Sequence, residues 1–168
     1  DSAGYAVTTG HENVIIGANA GNATTNVGYA VIIGKGAGQA NMTNAADGTI
    51  AIGKGSLAAL TTGGENIAIG YQAMDAMQEG HNNLAIGSNA FGTANNSGSD
   101  RNIAIGNYAL DATSTNVTTD NIAMGYAALG SCSTGDHNVA IGSYAMDSTT
   151  TNSKNVAIGF EAASNLAA

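Results

Sequence analysis

One nine-residue phrase recurs nine times along the chain: Asn, an aliphatic residue, Ala, Ile, Gly, two free positions, Ala and an apolar residue. It reads NIAIGYQAM at 66–74, NLAIGSNAF at 83–91 and NIAIGNYAL at 102–110. Its anchoring glycines are Gly17, Gly34, Gly53, Gly70, Gly87, Gly106, Gly125, Gly142 and Gly159, spaced by 17 or 19 residues. A fixed period of this length specifies one coil of a stack, not a globular enzyme domain. The expected fold is therefore all-β: a repetitive parallel β-roll or solenoid of nine rungs, one repeat domain spanning 1–168.

Composition matters where it tests that reading. Leu, Ile, Val and Phe make up only 29 of 168 residues, and the net charge is −8. Scattered, such a composition would point to disorder. Here the large apolar residues recur at fixed columns, which stacked rungs can bury. The chain has no proline, as suits a ladder that uses nearly every backbone N–H. Four cations (Lys35, Lys54, Arg101, Lys154) stand against twelve acids. That excludes nucleic acid as a partner and disfavours anionic membrane surfaces. No apolar run approaches membrane-spanning length, so no membrane insertion is expected. Cys132 is the single cysteine, so no intrachain disulfide can form. The repeat array starts and stops mid-phrase, which predicts a longer natural chain.

Within a rung, the residues before the glycine alternate as a strand does. The flanking aliphatic columns, such as Ile103 and Ile105, are expected to point inward. The middle column holds Ile15, Ile32, Ala51, Ala68, Ala85, Ala104, Ala123, Ala140 and Ala157. An apolar second face needs a cover, so these nine residues are expected to face another copy of the chain. After the glycine the alternation breaks, because the next position admits Lys35 and Lys54. The nine glycines are therefore corners where a Cβ would be crowded. A second short strand is expected after each corner, with polar turns leading to the next rung. Asn precedes the strand in seven rungs. It predicts an asparagine ladder or turn-closing side chain rather than a ligand-binding row.

NIAIGYQAM, NLAIGSNAF and NVAIGSYAM resemble the head repeats of trimeric autotransporter adhesins, the YadA-like β-roll. They are most similar in style to the longer repeats of phage and algal-virus tail fibres, because the rungs here have longer turns. The resemblance runs through essentially the whole chain. It implies a left-handed parallel roll assembled as a homotrimer. It also implies an extracellular setting, a virion tail fibre or bacterial cell surface, and no catalytic residues. A single hexapeptide-like match per coil is too few for the three-sided helix of acyltransferases.

No nucleophile or paired-carboxylate constellation stands out, so no enzyme, cofactor or metal site is expected. His11, His81 and His137 fall in turns; His11 and His81 are four rungs apart, about 19 Å at roughly 4.8 Å per rung. The acidic turns lack a spaced calcium loop. Tyr71, Tyr108, Tyr126 and Tyr144 follow the corner glycines and are candidate surface contacts, either a sugar platform or inter-rung stacking. Asn22, Asn41, Asn95 and Asn116 head glycosylation sequons, relevant only in a eukaryotic secretory host. Threonines such as Thr24, Thr61, Thr118 and Thr149 sit in turns of uneven length, unlike the flat row of an ice-binding face. The expected role is a rigid stalk or a host-surface receptor-binding element, with a cell-surface glycan or protein as partner. The alternatives are an autotransporter adhesin head and a passive shaft.

Overall fold

The computed structural model describes residues 2–92, 98–111, 117–132, 134–148 and 151–164. Asn95, Asn116 and Thr149 lie outside the described residues, as do parts of the turns at 92–101 and 111–120. Among the described residues, nine three-residue strands form one sheet in sequence order. They are β1 Val14–Ile16, β2 Val31–Ile33, β3 Ile50–Ile52, β4 Ile67–Ile69, β5 Leu84–Ile86, β6 Ile103–Ile105, β7 Ile122–Met124, β8 Val139–Ile141 and β9 Val156–Ile158. Every neighbouring pair is parallel and in register, so Ala68 lies beside Ala85 and Ala85 beside Ala104. A 17-residue coil and a 19-residue coil reach the same register, because added residues are taken up in the turns. Among the described residues, one helical turn, Asn44–Ala46, lies between β2 and β3.

The two faces of the sheet are the reverse of the expectation. The middle residues of the strands are inside this chain: Ile32, Ala51, Ala68, Ala85, Ala104, Ala123 and Ala140 are fully buried, and Ala157 nearly so. Ile15 is partly buried against the same cluster. None of these nine side chains is free to face another copy. The flanking aliphatics are half-buried or exposed on the outer face, with Ile69 at 36%, Ile86 at 37% and Ile16 at 57% exposure. The reason is space. The interior is thin and is filled from the opposite wall by Leu57, Met74, Phe91, Leu110, Leu129 and Met146, all fully buried. Small residues fit on the strand side of such an interior; branched ones are turned outward.

The segment after each corner is likewise not a strand. It is a run of turns in which the second and fourth residues after the glycine have positive φ, as at Gln72 (51°) and Met74 (51°). The left-handed region costs a non-glycine residue about 1–2 kcal/mol. Here it aims backbone groups at both neighbouring rungs. Gln72 N–H donates to Lys54 C=O of the rung before at 3.0 Å, and Met74 N–H to Ala90 C=O of the rung after at 3.0 Å. Each such bond contributes a net ~0.5–1.5 kcal/mol, enough to offset much of the strain. The turns also carry core the sequence reading treated as polar spacer. Val27, Met42, Leu60, Met77 and Cys132 are buried there.

Candidate functional site

The anchoring glycines end the strands at φ between +127° and +143°. A Cβ on Gly125 would meet the Gly142 carbonyl carbon at 2.6 Å and its oxygen at 2.7 Å. Two backbones pass too closely there for a side chain. The glycine column therefore serves stacking rather than ligand approach.

The asparagines form a buried ladder. Asn83 donates its backbone N–H (3.0 Å) and its Nδ2 (3.1 Å) to Asn66 Oδ1. Its own Oδ1 accepts the same pair from Asn102, at 2.9 and 3.1 Å. Asn83 Nδ2 also reaches Ser99 C=O at 2.7 Å. The pattern runs on through Asn121, Asn138 and Asn155. From Asn66 to Asn138 these amides are buried and bonded internally through both oxygen and nitrogen, and present nothing to a ligand.

The acidic turns have a comparable structural duty. In several rungs, the side chain two residues before the asparagine position accepts a backbone N–H from the rung before. Asp47 Oδ1 accepts Gly28 N–H at 2.7 Å, and Asp100 Oδ1 accepts His81 N–H at 2.8 Å. Asp136 Oδ1 accepts Thr119 N–H at 2.8 Å. His81 Nδ1 takes the same part for Gly64 N–H at 3.1 Å. His11 instead packs edge-on against Tyr29, with ring centroids 5.0 Å apart. Among the described residues, no group of three His, Cys, Asp or Glu side chains is placed to hold a metal ion. Burial pushes the Cys132 thiol up, which keeps it in the unreactive thiol form.

On the surface, two side-chain ladders cross the rungs. Arg101 grips Asp120 through Nε at 2.8 Å and Nη2 at 2.9 Å. His137 Nε2 lies 3.6 Å from the same carboxylate. The Arg101 hydrogen bond holds Asp120 below the usual carboxylate range. The second ladder is aromatic. Tyr108, Tyr126, Tyr144 and Phe160 stack edge to face, with centroids 5.8, 5.3 and 6.3 Å apart. The structure thus brings three of the four candidate tyrosines together and sets Tyr71 apart. Lys54 Nζ lies 5.4 Å from the Tyr71 ring centre. Edge-to-face stacking leaves rings and ring edges open to solvent without forming one flat shelf.

Sequence reasoning missed the surroundings of Tyr71. Lys35 and Lys54 occupy the same position in consecutive rungs, each followed by a glycine (GKGAG, GKGSL). As a corner signal the lysines carry no ligand, yet the same pattern also shows a cation pair flanked by missing side chains. Compared with known proteins, the chain has no match: no family model, no curated protein and no solved structure matches it.

Proposed function

We propose that this chain is a segment of an extracellular fibre, a viral tail fibre or a surface adhesin. It would be a rigid stalk and a carrier of receptor-binding turns, assembled as a parallel homotrimer of left-handed rolls. One observation carries the assembly: the outer face of the nine-stranded sheet is aliphatic from end to end. Two columns, Val14 to Val156 and Ile16 to Ile158, stand half-exposed along it. Isolated exposed aliphatics need no explanation, but a continuous stripe of this kind marks an interface. A second and third copy are the fitting cover, because an identical chain repeats the same rung spacing along its whole length. Recognition would fall to the polar outer residues of the turns, which differ in sequence at every step, as binding loops on a rigid scaffold do. Three copies would present each turn three times, so weak contacts would add.

Light scattering on the folded protein tests the assembly. The expected mass is three times that of the 16.5 kDa chain; a monomer mass overturns it. A variant with Ile69→Glu, Ile86→Glu and Ile105→Glu places three carboxylates on the outer face and none in the core. Monomers with native circular dichroism are the expected product. For recognition, three turns are exchanged for those of other rungs at unchanged trimer content, and binding to host cells is measured. Unchanged binding favours the passive shaft.

A further inference from the structure

The depression beside Tyr71 is formed by omission. Two residues after the anchoring glycine, the other rungs carry Asn19, Gln72, Asn89, Tyr108, Ala127, Tyr144 and Glu161, all with a side chain, but the second and third rungs carry Gly36 and Gly55. A Cβ on Gly36 would find only Gln39 Oε1, at 3.2 Å, and one on Gly55 only Gln72 Cγ, at 3.4 Å. The missing side chains leave a shallow cavity of about 230 Å³. That is smaller than the roughly 300 Å³ at which drug-sized pockets begin, and suits one sugar ring with its acidic group.

Its rim holds two of the four cations in a chain with twelve acids. Lys35 and Lys54 stand in register on neighbouring rungs, the spacing fixed by Gly55 N–H donating to Lys35 C=O at 3.0 Å. Like charges stacked on adjacent rungs repel. Among the described residues neither lysine has a carboxylate in ion-pair range. The carboxylate of Asp75 is instead bonded by Gln72 Nε2 at 3.1 Å, which leaves the Gln72 carbonyl to accept from a ligand hydroxyl. Tyr71, 47% exposed, supplies an aromatic wall, and Gln39 a further amide. Stacked cations, an aromatic ring and amides around a small cavity match an anionic group carried on a hydroxylated ring.

We infer that this depression binds an acidic saccharide, with Lys35 and Lys54 gripping its carboxylate or sulfate and Tyr71 packing against its ring. The inference goes beyond the fibre reading and is tested without host cells, so either can fail while the other stands. The probes are 3′-sialyllactose, a chondroitin sulfate disaccharide, neutral lactose and sodium sulfate, titrated against the full chain by ligand-observed NMR. At least one acidic saccharide is expected to bind saturably and lactose not to bind. Lys35→Gln with Lys54→Gln should weaken that binding about tenfold or more with an unchanged or raised melting temperature. Gly36→Asn should also abolish it, by filling the floor with a side chain that Asn19 and Asn89 already carry at positive φ in other rungs. Absence of saturable binding by both acidic probes overturns the proposal, as does equal affinity in the lysine double variant. Inorganic sulfate binding as tightly as the saccharide overturns the saccharide assignment.

Discussion

The rungs of β1 and β2 and the rungs of β3 to β9 make the same sheet around different interiors. In the first two, the middle strand residue is Ile15 or Ile32 and the fourth residue after the corner is Gly21 or Gly38. From the third rung to the eighth the pairing is inverted, as in Ala51 with Leu57, Ala68 with Met74, Ala85 with Phe91 and Ala104 with Leu110, while the last rung has Ala157 with Ala163. A Cβ on Gly21 would lie 3.4 Å from Ile32 Cδ1 and 3.5 Å from Ile15 Cδ1. The isoleucines therefore fill from the strand wall the space that leucine, methionine or phenylalanine fills from the turn wall. The total is nearly held constant while its source changes sides, and cores tolerate such volume-conserving exchange best. The strand register passes across the change without a slip, so register depends on the backbone hydrogen bonds and the glycine corners rather than on which wall supplies the filling.

The sharpest way to break this account is to convert a late rung into an early one. Leu110→Gly should remove a fully buried leucine at about 2–5 kcal/mol. Relief of its left-handed backbone (φ 54°) returns only ~1–2 kcal/mol, so net destabilisation is expected. Ala104→Ile alone overpacks the rung, by about 1–3 kcal/mol. Together the two should couple favourably, leaving a loss smaller than the sum of the singles, as contacting residues do. Strict additivity in denaturant titrations would show that the two walls do not fill one shared space.

That pairing also marks what the sequence made legible and what it hid. The period, strand positions, parallel register and glycine corners follow from spacing alone, because each demands one residue type at one place. Which face of a three-residue strand lies inside does not follow from spacing, since Ile-Ala-Ile is apolar on both sides. Size alone points the larger residue inward, and the filled opposite wall reverses that. The corrective signal was present: the two rungs with isoleucine in the middle are the two with glycine four residues after the corner. The second wall was hidden for another reason. Its left-handed residues include leucine, methionine, phenylalanine, tyrosine, glutamine and alanine beside asparagine and glycine, so no consistent turn signal announces them.

A second difference between the regions lies in the asparagine ladder. It is continuous from Asn66 to Asn155, but the rungs of β2 and β3 have Ala30 and Thr49 at that position. Thr49 is fully buried and its hydroxyl has no hydrogen-bond partner, an arrangement that costs about 1–3 kcal/mol. Thr49→Asn should extend the ladder by one rung, with its Oδ1 accepting Asn66 N–H and its Nδ2 facing Gly63 C=O. Asn83 does the equivalent for Asn102 and Ser99 one array further along. The expected gain is about 1 kcal/mol, read as a raised denaturation midpoint at unchanged slope. A loss of stability would mean that the early rungs hold their turn in a position the ladder cannot use.

The smallest effect is electrostatic and separates the regions by pH. Five residues after the corner, the late region places Asp75 and Asp147, where the early rungs have Asn22 and Gln39. Burial raises both carboxyls above their ordinary value, against the opposing hydrogen bonds from the backbone and Gln72 at Asp75. A raised carboxyl is disfavoured in its ionised form by the folded state. Each therefore lowers stability above its folded pKa, and the penalty disappears as pH falls below the unfolded value near 4. Asp120 has the opposite sign: Arg101 depresses it, so its contribution is present above the unfolded value and lost as pH falls through the folded one. Asp75→Asn with Asp147→Asn leaves Asp120 untouched and isolates the first effect. Solvent screening at these partly exposed sites limits it to roughly a few tenths of a kcal/mol each. The double variant should melt slightly above the parent at pH 7, and the gap should close toward pH 3. A gap independent of pH would assign it to packing rather than charge, leaving the two regions distinct in their interiors alone.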